Sequence, residues 1–139
     1  MSKGPRDGVD AGSREQAPDD VAVLVVDDQE SFRSVLGELV AVTDGFRLVG
    51  EAASGEDALR AVEELSPRLV IIDKRMPGMG GLEATRELTS RHPEIVVVLI
   101  SVEAAPDSQV LRSCGAAAFV GKQMLSPGVL REVWRSHGD

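Results

Sequence analysis

The chain has 139 residues, of which 42% are hydrophobic but only 3% aromatic, so its length and composition suit one domain with an aliphatic core. The formal net charge of −8 at pH 7 repels nucleic-acid phosphates and argues against direct DNA or RNA binding. The single cysteine, Cys114, excludes an intrachain disulfide and a cysteine metal cluster, and we interpret it as a small buried hydrophobe.

Residues 1–20 are predicted to form a disordered tail, because glycine, proline and charges of both signs dominate this segment. Residues 21–139 are expected to form a single folded domain, with no second domain after the last helix. The aliphatic runs are too short to span a bilayer and no signal peptide precedes them, so we expect a cytoplasmic protein without a membrane anchor.

From residue 21 onward, five aliphatic runs of strand length alternate with five amphipathic segments. The runs are 21–26, 46–53, 69–72, 95–100 and 116–120. The first two helical segments have apolar residues at Phe32, Val35, Leu36, Leu39 and Val40, and at Ala58, Ala61, Val62 and Leu65. Later helices are predicted over 81–91, over 107–113, and after residue 126, with Leu130, Val133 and Trp134 on the inner face of the last.

Local signals mark where two of these helices begin. The sequence from Ser54 to Asp57 resembles a capping box, and Pro67 prevents the following helix from extending further. Ser126 precedes Pro127, which is the arrangement of an N-cap residue before proline at the first helical position.

The alternation of strands and helices predicts βα units. Because crossovers between parallel strands are right-handed, such units build a parallel sheet covered by helices on both faces, which is a doubly wound α/β fold. The pattern alone does not determine the order of the strands.

Polar residues follow four of the five strands at the carboxyl edge, where open parallel sheets bind their ligands. The five residues are Asp27, Asp28, Asp73, Ser101 and Lys122. Each has an ordinary explanation when taken alone: a helix N-cap for the Asp27–Asp28 pair, a turn for Asp73 or Ser101, and a surface cation for Lys122. Their joint placement at one edge favours a functional site.

These residue types suit phosphoryl transfer to a carboxylate. Clustered carboxylates favour a hard divalent cation such as Mg²⁺, and Asp73 can then act as the nucleophile that forms an acyl phosphate. Lys122 would bring positive charge to a phosphoryl oxygen. Ser101 would donate a hydrogen bond to a second phosphoryl oxygen. This bond would link phosphorylation of Asp73 to movement of the loop that follows Ser101.

Four segments resemble the receiver domains of two-component response regulators. They are 25–29 (VVDDQ), 71–83 (IIDKRMPGMGGLE), 100–101 (IS) and 119–122 (FVGK). The resemblance covers about residues 21–136, and the segment is similar to the receivers of regulators that carry a helix-turn-helix output domain. It implies a flavodoxin-like sheet with five parallel strands in the order 2-1-3-4-5.

The resemblance also implies the ligands and the partners of the site. Asp28 and Asp73 would ligate Mg²⁺ directly, Asp27 through water, and Arg75 through its backbone carbonyl. Asp73 would accept its phosphoryl group from a sensor histidine kinase or a phosphotransfer protein. Ser101 and Phe119 match the hydroxyl and aromatic switch positions of the family.

The resemblance implies that the domain acts by binding a downstream protein. It leaves open whether the phosphorylated domain also forms a homodimer. The surface expected to change comprises the fourth helix, the fifth strand and the last helix. Its candidate contact residues are Val110, Leu111 and Met124, any of which could instead belong to the core.

The sequence departs from the family around the phosphoacceptor. Lys74 stands where an aliphatic residue is usual, and Val102 stands where a small residue is common. Arg75 and Glu103 lie two residues beyond Asp73 and Ser101, so we hypothesise that they pair across the site and slow both phosphorylation and attack by water. Two solvated surface charges are the alternative.

Two other functions compete with the signalling receiver. A degenerate receiver would act as a phosphorylation-independent interaction module, which Lys74 and Val102 keep possible. A phosphatase resembling the haloacid dehalogenases would also use an aspartyl phosphate, but that family has a second aspartate two residues after the nucleophile, where this chain has Arg75. We therefore expect a signalling domain rather than an enzyme.

Overall fold

The structure is a computed structural model in which residues 20–103 and 105–138 are described. Apart from Asp20, the predicted tail lies outside the described residues.

Five parallel strands form one sheet. The strands are β1 (Val21–Val26), β2 (Phe46–Ala52), β3 (Leu69–Asp73), β4 (Val96–Ser101) and β5 (Ala118–Gly121). Their order across the sheet is β2-β1-β3-β4-β5, and every neighbouring pair is parallel. The predicted doubly wound α/β fold and its strand order are therefore confirmed.

Five helices connect or follow the strands. They are α1 (Glu30–Ala41), α2 (Gly55–Leu65), α3 (Gly81–Arg91), α4 (Ser108–Cys114) and α5 (Pro127–His137), with a short 3-10 turn at Lys122–Met124. The Ser54 hydroxyl accepts the Asp57 backbone N–H at 3.0 Å, and the Ser126 hydroxyl accepts the Val129 N–H at 3.1 Å. Both predicted helix starts are confirmed, because these caps satisfy N–H groups that a helix leaves without partners.

The core has two halves, one on each face of the sheet. Helices α1 and α5 cover one face, and α2, α3 and α4 cover the other. Alternate residues of β3 serve the two halves: Leu69 and Ile71 pack towards α1 and α5, while Val70 and Ile72 pack towards the other helices. Cys114 is buried in the second half, as predicted.

The sequence pattern was wrong for two apolar helix positions and for some strand ends. Val35 and Leu65 are 52% and 40% exposed, because each helix packs on the sheet through a stripe narrower than its apolar pattern. Strand β5 begins two residues later than predicted, after Gly115 ends α4 in the left-handed conformation with φ of 87°. Among the described residues, no helix is long and apolar enough to cross a bilayer.

Gly81 fixes the distance between α3 and the end of β3. A Cβ atom at this position would lie 2.1 Å from the Asp73 carbonyl oxygen and 2.8 Å from the Lys74 Cα, both of them backbone atoms. No side-chain rotation relieves such a contact, so only glycine allows α3 to begin this close to the strand end.

Gly81→Ala is expected to lower the free energy of unfolding by about 2 kcal/mol or more, because backbone atoms must move to admit the methyl group. Gly128→Ala is the matched control, since its Cβ would meet only the Ser126 Oγ at 3.8 Å and alanine favours a helix. Urea unfolding of both variants tests this expectation. Equal stability of the two variants would contradict it.

Candidate phosphoacceptor site

The carboxyl edge of the sheet gathers the predicted site residues. Asp27 directly follows β1, Asp73 ends β3, Ser101 ends β4 and Lys122 directly follows β5. The strand register pairs Val26 with Ile72, Asp73 with Ile100, and Ser101 with Gly121. Asp27 and Asp73 are therefore level, Ser101 and Lys122 lie one and two residues further along, and the four side chains reach the same edge of the sheet.

Three carboxylates lie together at this edge. One oxygen each from Asp27, Asp28 and Asp73 falls within 4.8 Å of the other two. Asp27 and Asp73 are 0% and 6% exposed, whereas Asp28 is open to solvent. Carboxylates held this close in a partly desolvated site repel each other, so the cluster requires positive charge nearby.

Lys122 supplies that charge from within the protein. Its Nζ lies 2.9 Å from Asp27 Oδ2 and 3.7 Å from Asp73 Oδ2, and only 11% of its side chain is exposed. The Nζ also lies 4.2 Å from the centroid of the Phe32 ring on α1. The ammonium is therefore held between two carboxylates and an aromatic face.

Asp27 is fixed by more than Lys122. Its Oδ1 accepts the Gln29 backbone N–H at 2.9 Å, and its backbone carbonyl accepts a hydrogen bond from Arg33 at 2.8 Å. Arg33 also pairs with Glu51 of β2 at 3.2 Å. The N-cap of α1 is Gln29, without a side-chain cap, so the alternative that the aspartate pair caps this helix is wrong.

The pKa of Asp73 reflects its burial and its charged neighbours. Burial, and next the carboxylate of Asp27, raise the pKa of Asp73 above its ordinary value, and Asp28 adds a smaller effect in the same direction. The Lys122 ammonium and the hydrogen bond from the Arg75 backbone N–H lower this pKa but do not offset the increase.

A second set of contacts connects the ends of β3 and β4. The buried Ser101 hydroxyl accepts the Glu103 backbone N–H at 3.0 Å. The Glu103 carboxylate pairs with Arg75 at 3.1 Å and with Lys74 at 3.6 Å. The hypothesised Arg75–Glu103 pair is thus present, and Lys74 joins it, which the sequence did not indicate.

A cleft of about 270 Å³ opens between these two sets of contacts. Asp28, Asp73, Ser101 and Lys122 line it, as do Arg75, Val102 and Glu103. Val102 is 76% exposed and stands at the side of the opening. The cleft has room for a small anionic group next to Asp73, and its carboxylate oxygens are the ligands that Mg²⁺ prefers.

Of the two predicted switch residues, Ser101 lines the cleft, whereas Phe119 and the predicted output residues do not. Phe119 is half-buried on β5 and packs against the core beneath α2, α3 and α4. Val110 and Met124 are exposed, whereas Leu111 packs against the same core. Leu111 is therefore partly a core residue, as the sequence left open.

Comparison with known proteins identifies the family of the chain. Residues 23–134 match the family model described as the response regulator receiver domain. The chain belongs to the response regulator receiver family. A receiver is a signalling domain of two-component systems, and the resemblance drawn from the four sequence segments is confirmed.

Individual relatives agree with this assignment. The response regulator GacA from Pseudomonas viridiflava is 45% identical over 103 residues, a match covering 73% of this chain and 48% of GacA. A DNA-binding response regulator of the LuxR family from Staphylococcus aureus superimposes with a TM-score of 0.75 at 27% identity, covering 86% of this chain and 99% of that one. The response regulator domain of Thermotoga maritima CheB gives a TM-score of 0.73 at 28% identity, covering 86% and 96%. This receiver spans about half the length of the curated relatives it matches.

Asp73→Asn is expected to stabilise the metal-free receiver at pH 7, on the order of 1 kcal/mol, because the substitution removes one buried, repelled charge. A raised pKa means that the folded protein holds the proton more tightly than the unfolded chain, so charging Asp73 weakens the fold as pH rises. The gain in stability of Asp73→Asn over the unchanged protein should therefore shrink as pH falls through this pKa.

Thermal unfolding in a chelator at several pH values measures this effect. Asp107→Asn is the control, because Asp107 is exposed and asparagine caps α4 equally well. A lower melting temperature for Asp73→Asn than for the unchanged protein at pH 7 would show that the Lys122 contact outweighs the repulsion.

Proposed function

We propose that this receiver accepts a phosphoryl group onto Asp73 from the phosphohistidine of a sensor histidine kinase or a phosphotransfer protein. The observation that carries the proposal is the meeting of three carboxylates and one buried ammonium beside an open cleft that Asp28, Asp73 and Lys122 line. A site built only for stability would not hold this much like charge together at an accessible edge.

In the proposed transfer, one Asp73 oxygen forms a bond to phosphorus while the bond from phosphorus to the kinase histidine breaks. The imidazole keeps the electron pair of that bond and takes up a proton. Lys122 is close enough to Asp73 to meet the transferred group with a positive charge. Ser101 keeps its hydroxyl proton while it accepts the Glu103 N–H, so it can still donate to a phosphoryl oxygen.

The donor set fits Mg²⁺. Asp28 and Asp73 offer oxygen ligands in an open cleft that leaves room for water, and the buried Asp27 would act through water. The Arg75 backbone carbonyl is proposed as a further ligand. When bound, the ion supplies positive charge that screens the carboxylates and the phosphoryl oxygens. The three carboxylates carry more negative charge than Lys122 alone can neutralise, which supports this assignment.

We propose that phosphorylation is read through α4, β5 and α5. Movement of Ser101 towards the phosphoryl group would pull on the loop before α4 and let the Phe119 ring turn inward. The exposed side chains of Val110 and Met124 would then present a changed surface to a downstream protein, or to a second receiver in a phosphorylation-dependent dimer. Phe119 has no hydroxyl, so this switch would act by packing.

We propose that residues 21–139 act as a signalling domain and not as an enzyme. Arg75 stands where a haloacid dehalogenase has its second aspartate, and its side chain is engaged by Glu103. The net charge of −8 also supports the proposal that this receiver does not itself contact nucleic acid.

Incubation with Mg²⁺ and a small phosphodonor is expected to add one phosphoryl group to the protein. Intact-mass analysis should detect the added mass in the unchanged protein and find none in Asp73→Asn, which keeps the shape of the side chain but loses the nucleophile. Asp107→Asn should be modified normally. Absence of modification in the unchanged protein would favour the degenerate receiver, and turnover of a phosphoester would favour the enzyme.

Arg75→Ala and Glu103→Ala are each expected to shorten the lifetime of the acyl phosphate about two- to fivefold. The reason is that a pair of surface charges contributes at most about 1 kcal/mol to holding the cleft partly closed. Phosphorylation by the small donor should accelerate similarly. Loss of phosphate from purified phosphoprotein, followed by mass analysis, measures the lifetime. Arg86→Ala, an exposed arginine on α3, is the control. An unchanged lifetime in both variants would refute the proposal that the Arg75–Glu103 pair slows access to Asp73.

A further inference from the structure

Phe32 and Lys122 are 90 positions apart but meet at the site. Phe32 lies in the first turn of α1, and its ring centroid is 4.2 Å from the Lys122 Nζ. Attraction between an ammonium and the face of an aromatic ring is appreciable up to about 6 Å, so this is a close contact. Neither the helical pattern nor the residues at the strand ends predicted it.

The first turn of α1 is anchored so that the ring has a defined position. The Gln29 carbonyl accepts the Phe32 backbone N–H at 3.1 Å and the Arg33 N–H at 3.0 Å. The Arg33 side chain donates a hydrogen bond to the Asp27 backbone carbonyl, which connects this turn to the end of β1. Phe32 is thus attached to the same short segment that carries the aspartate pair.

The ring gives Lys122 a kind of contact that a carboxylate cannot give. A buried ammonium has lost most of its water and needs favourable neighbours on every side. Asp27 and Asp73 provide two of them. An aromatic face attracts the cation without adding negative charge and competes weakly for its N–H groups, which leaves the ammonium able to donate to an incoming anion.

We propose that Phe32 is a positioning residue that holds the Lys122 ammonium beside Asp73 for contact with the phosphoryl group. This inference rests on the proposed function and adds a residue outside the acidic cluster to it. Its alternative is that Phe32 only fills the core beneath α1 and α5, against which its ring also packs. The two roles predict different effects when the ring is replaced by an aliphatic side chain. Positioning predicts weaker binding of a phosphoryl analogue, whereas core filling alone predicts unchanged binding.

Phe32→Leu and Phe32→Met both keep an apolar side chain but remove the aromatic face. With saturating Mg²⁺, calorimetry is expected to show beryllofluoride, a phosphoryl analogue, binding about three- to tenfold more weakly to either variant, the effect of losing one cation–π contact. Phe32→Tyr should bind within about twofold of the unchanged protein, because it keeps the ring. Affinity for Mg²⁺ alone should not change, since Lys122 is not a metal ligand.

Two further measurements separate positioning from packing. The ε-methylene protons of Lys122 should show an upfield NMR shift from the Phe32 ring, retained in Phe32→Tyr and lost in Phe32→Leu and Phe32→Met, without Mg²⁺ or beryllofluoride. Phe46→Leu is the control for general loss of an aromatic core residue, because Phe46 is buried at the start of β2, away from the cleft. It should lower stability but not beryllofluoride affinity.

The outcomes separate the role of Phe32 from the proposed phosphoacceptor function on which it rests. Normal beryllofluoride affinity in both aliphatic variants, or an equal loss in Phe46→Leu, would overturn the role of Phe32 and leave the phosphoacceptor assignment standing. Failure of the unchanged protein to bind beryllofluoride with Mg²⁺ would overturn the proposed function, and the role of Phe32 with it. Should one aliphatic variant fail to fold, the other decides the outcome.

Discussion

The repulsion between carboxylates at the carboxyl edge of the sheet is the constraint on which the rest of the site depends. Asp27 and Asp73 are almost fully buried, and Asp28 stands beside them. Burial raises the pKa of Asp73 most, and the repulsion from Asp27, which burial strengthens, raises it further. The aliphatic sheet tolerates this local cost because its two cores, one on each face, fix the strand ends from below. A carboxylate can therefore be held in a less favourable environment than an isolated loop would sustain.

Positive charge reaches this edge in two different environments. Lys122 is buried and held between carboxylates and a ring, so its position is fixed by the fold. Lys74 and Arg75 reach the edge from the loop after β3 and meet at Glu103, whose side chain is 42% exposed. Ionic strength screens exposed pairs much more than buried ones. The buried Lys122 thus suits a constant role in the proposed phosphoryl transfer. The exposed Arg75–Glu103 pair suits adjustment of access to Asp73.

Much of the fold was accessible from the sequence because strand and helix periods are local properties. The alternation of runs predicted the parallel sheet, and Ser54 and Ser126 marked helix starts that the structure confirms. The pattern failed at Val35, since periodicity cannot show how wide a stripe the sheet will cover. The strand order came from the resemblance to receivers, because local patterns do not state which strands pair.

The site residues also divide into those that the sequence predicted and those that it did not. Residues that extend from strand ends were predictable, since topology alone brings Asp27, Asp73, Ser101 and Lys122 to one edge. Contacts made by long side chains from neighbouring elements were not, because their direction depends on packing around them. Phe32 and Arg33 belong to this second class: one helical turn places one against the site lysine and the other on the Asp27 carbonyl. The residues proposed to perform the chemistry are thus placed by the fold, whereas Phe32 and Arg33 owe their contacts with the site to the local geometry of α1.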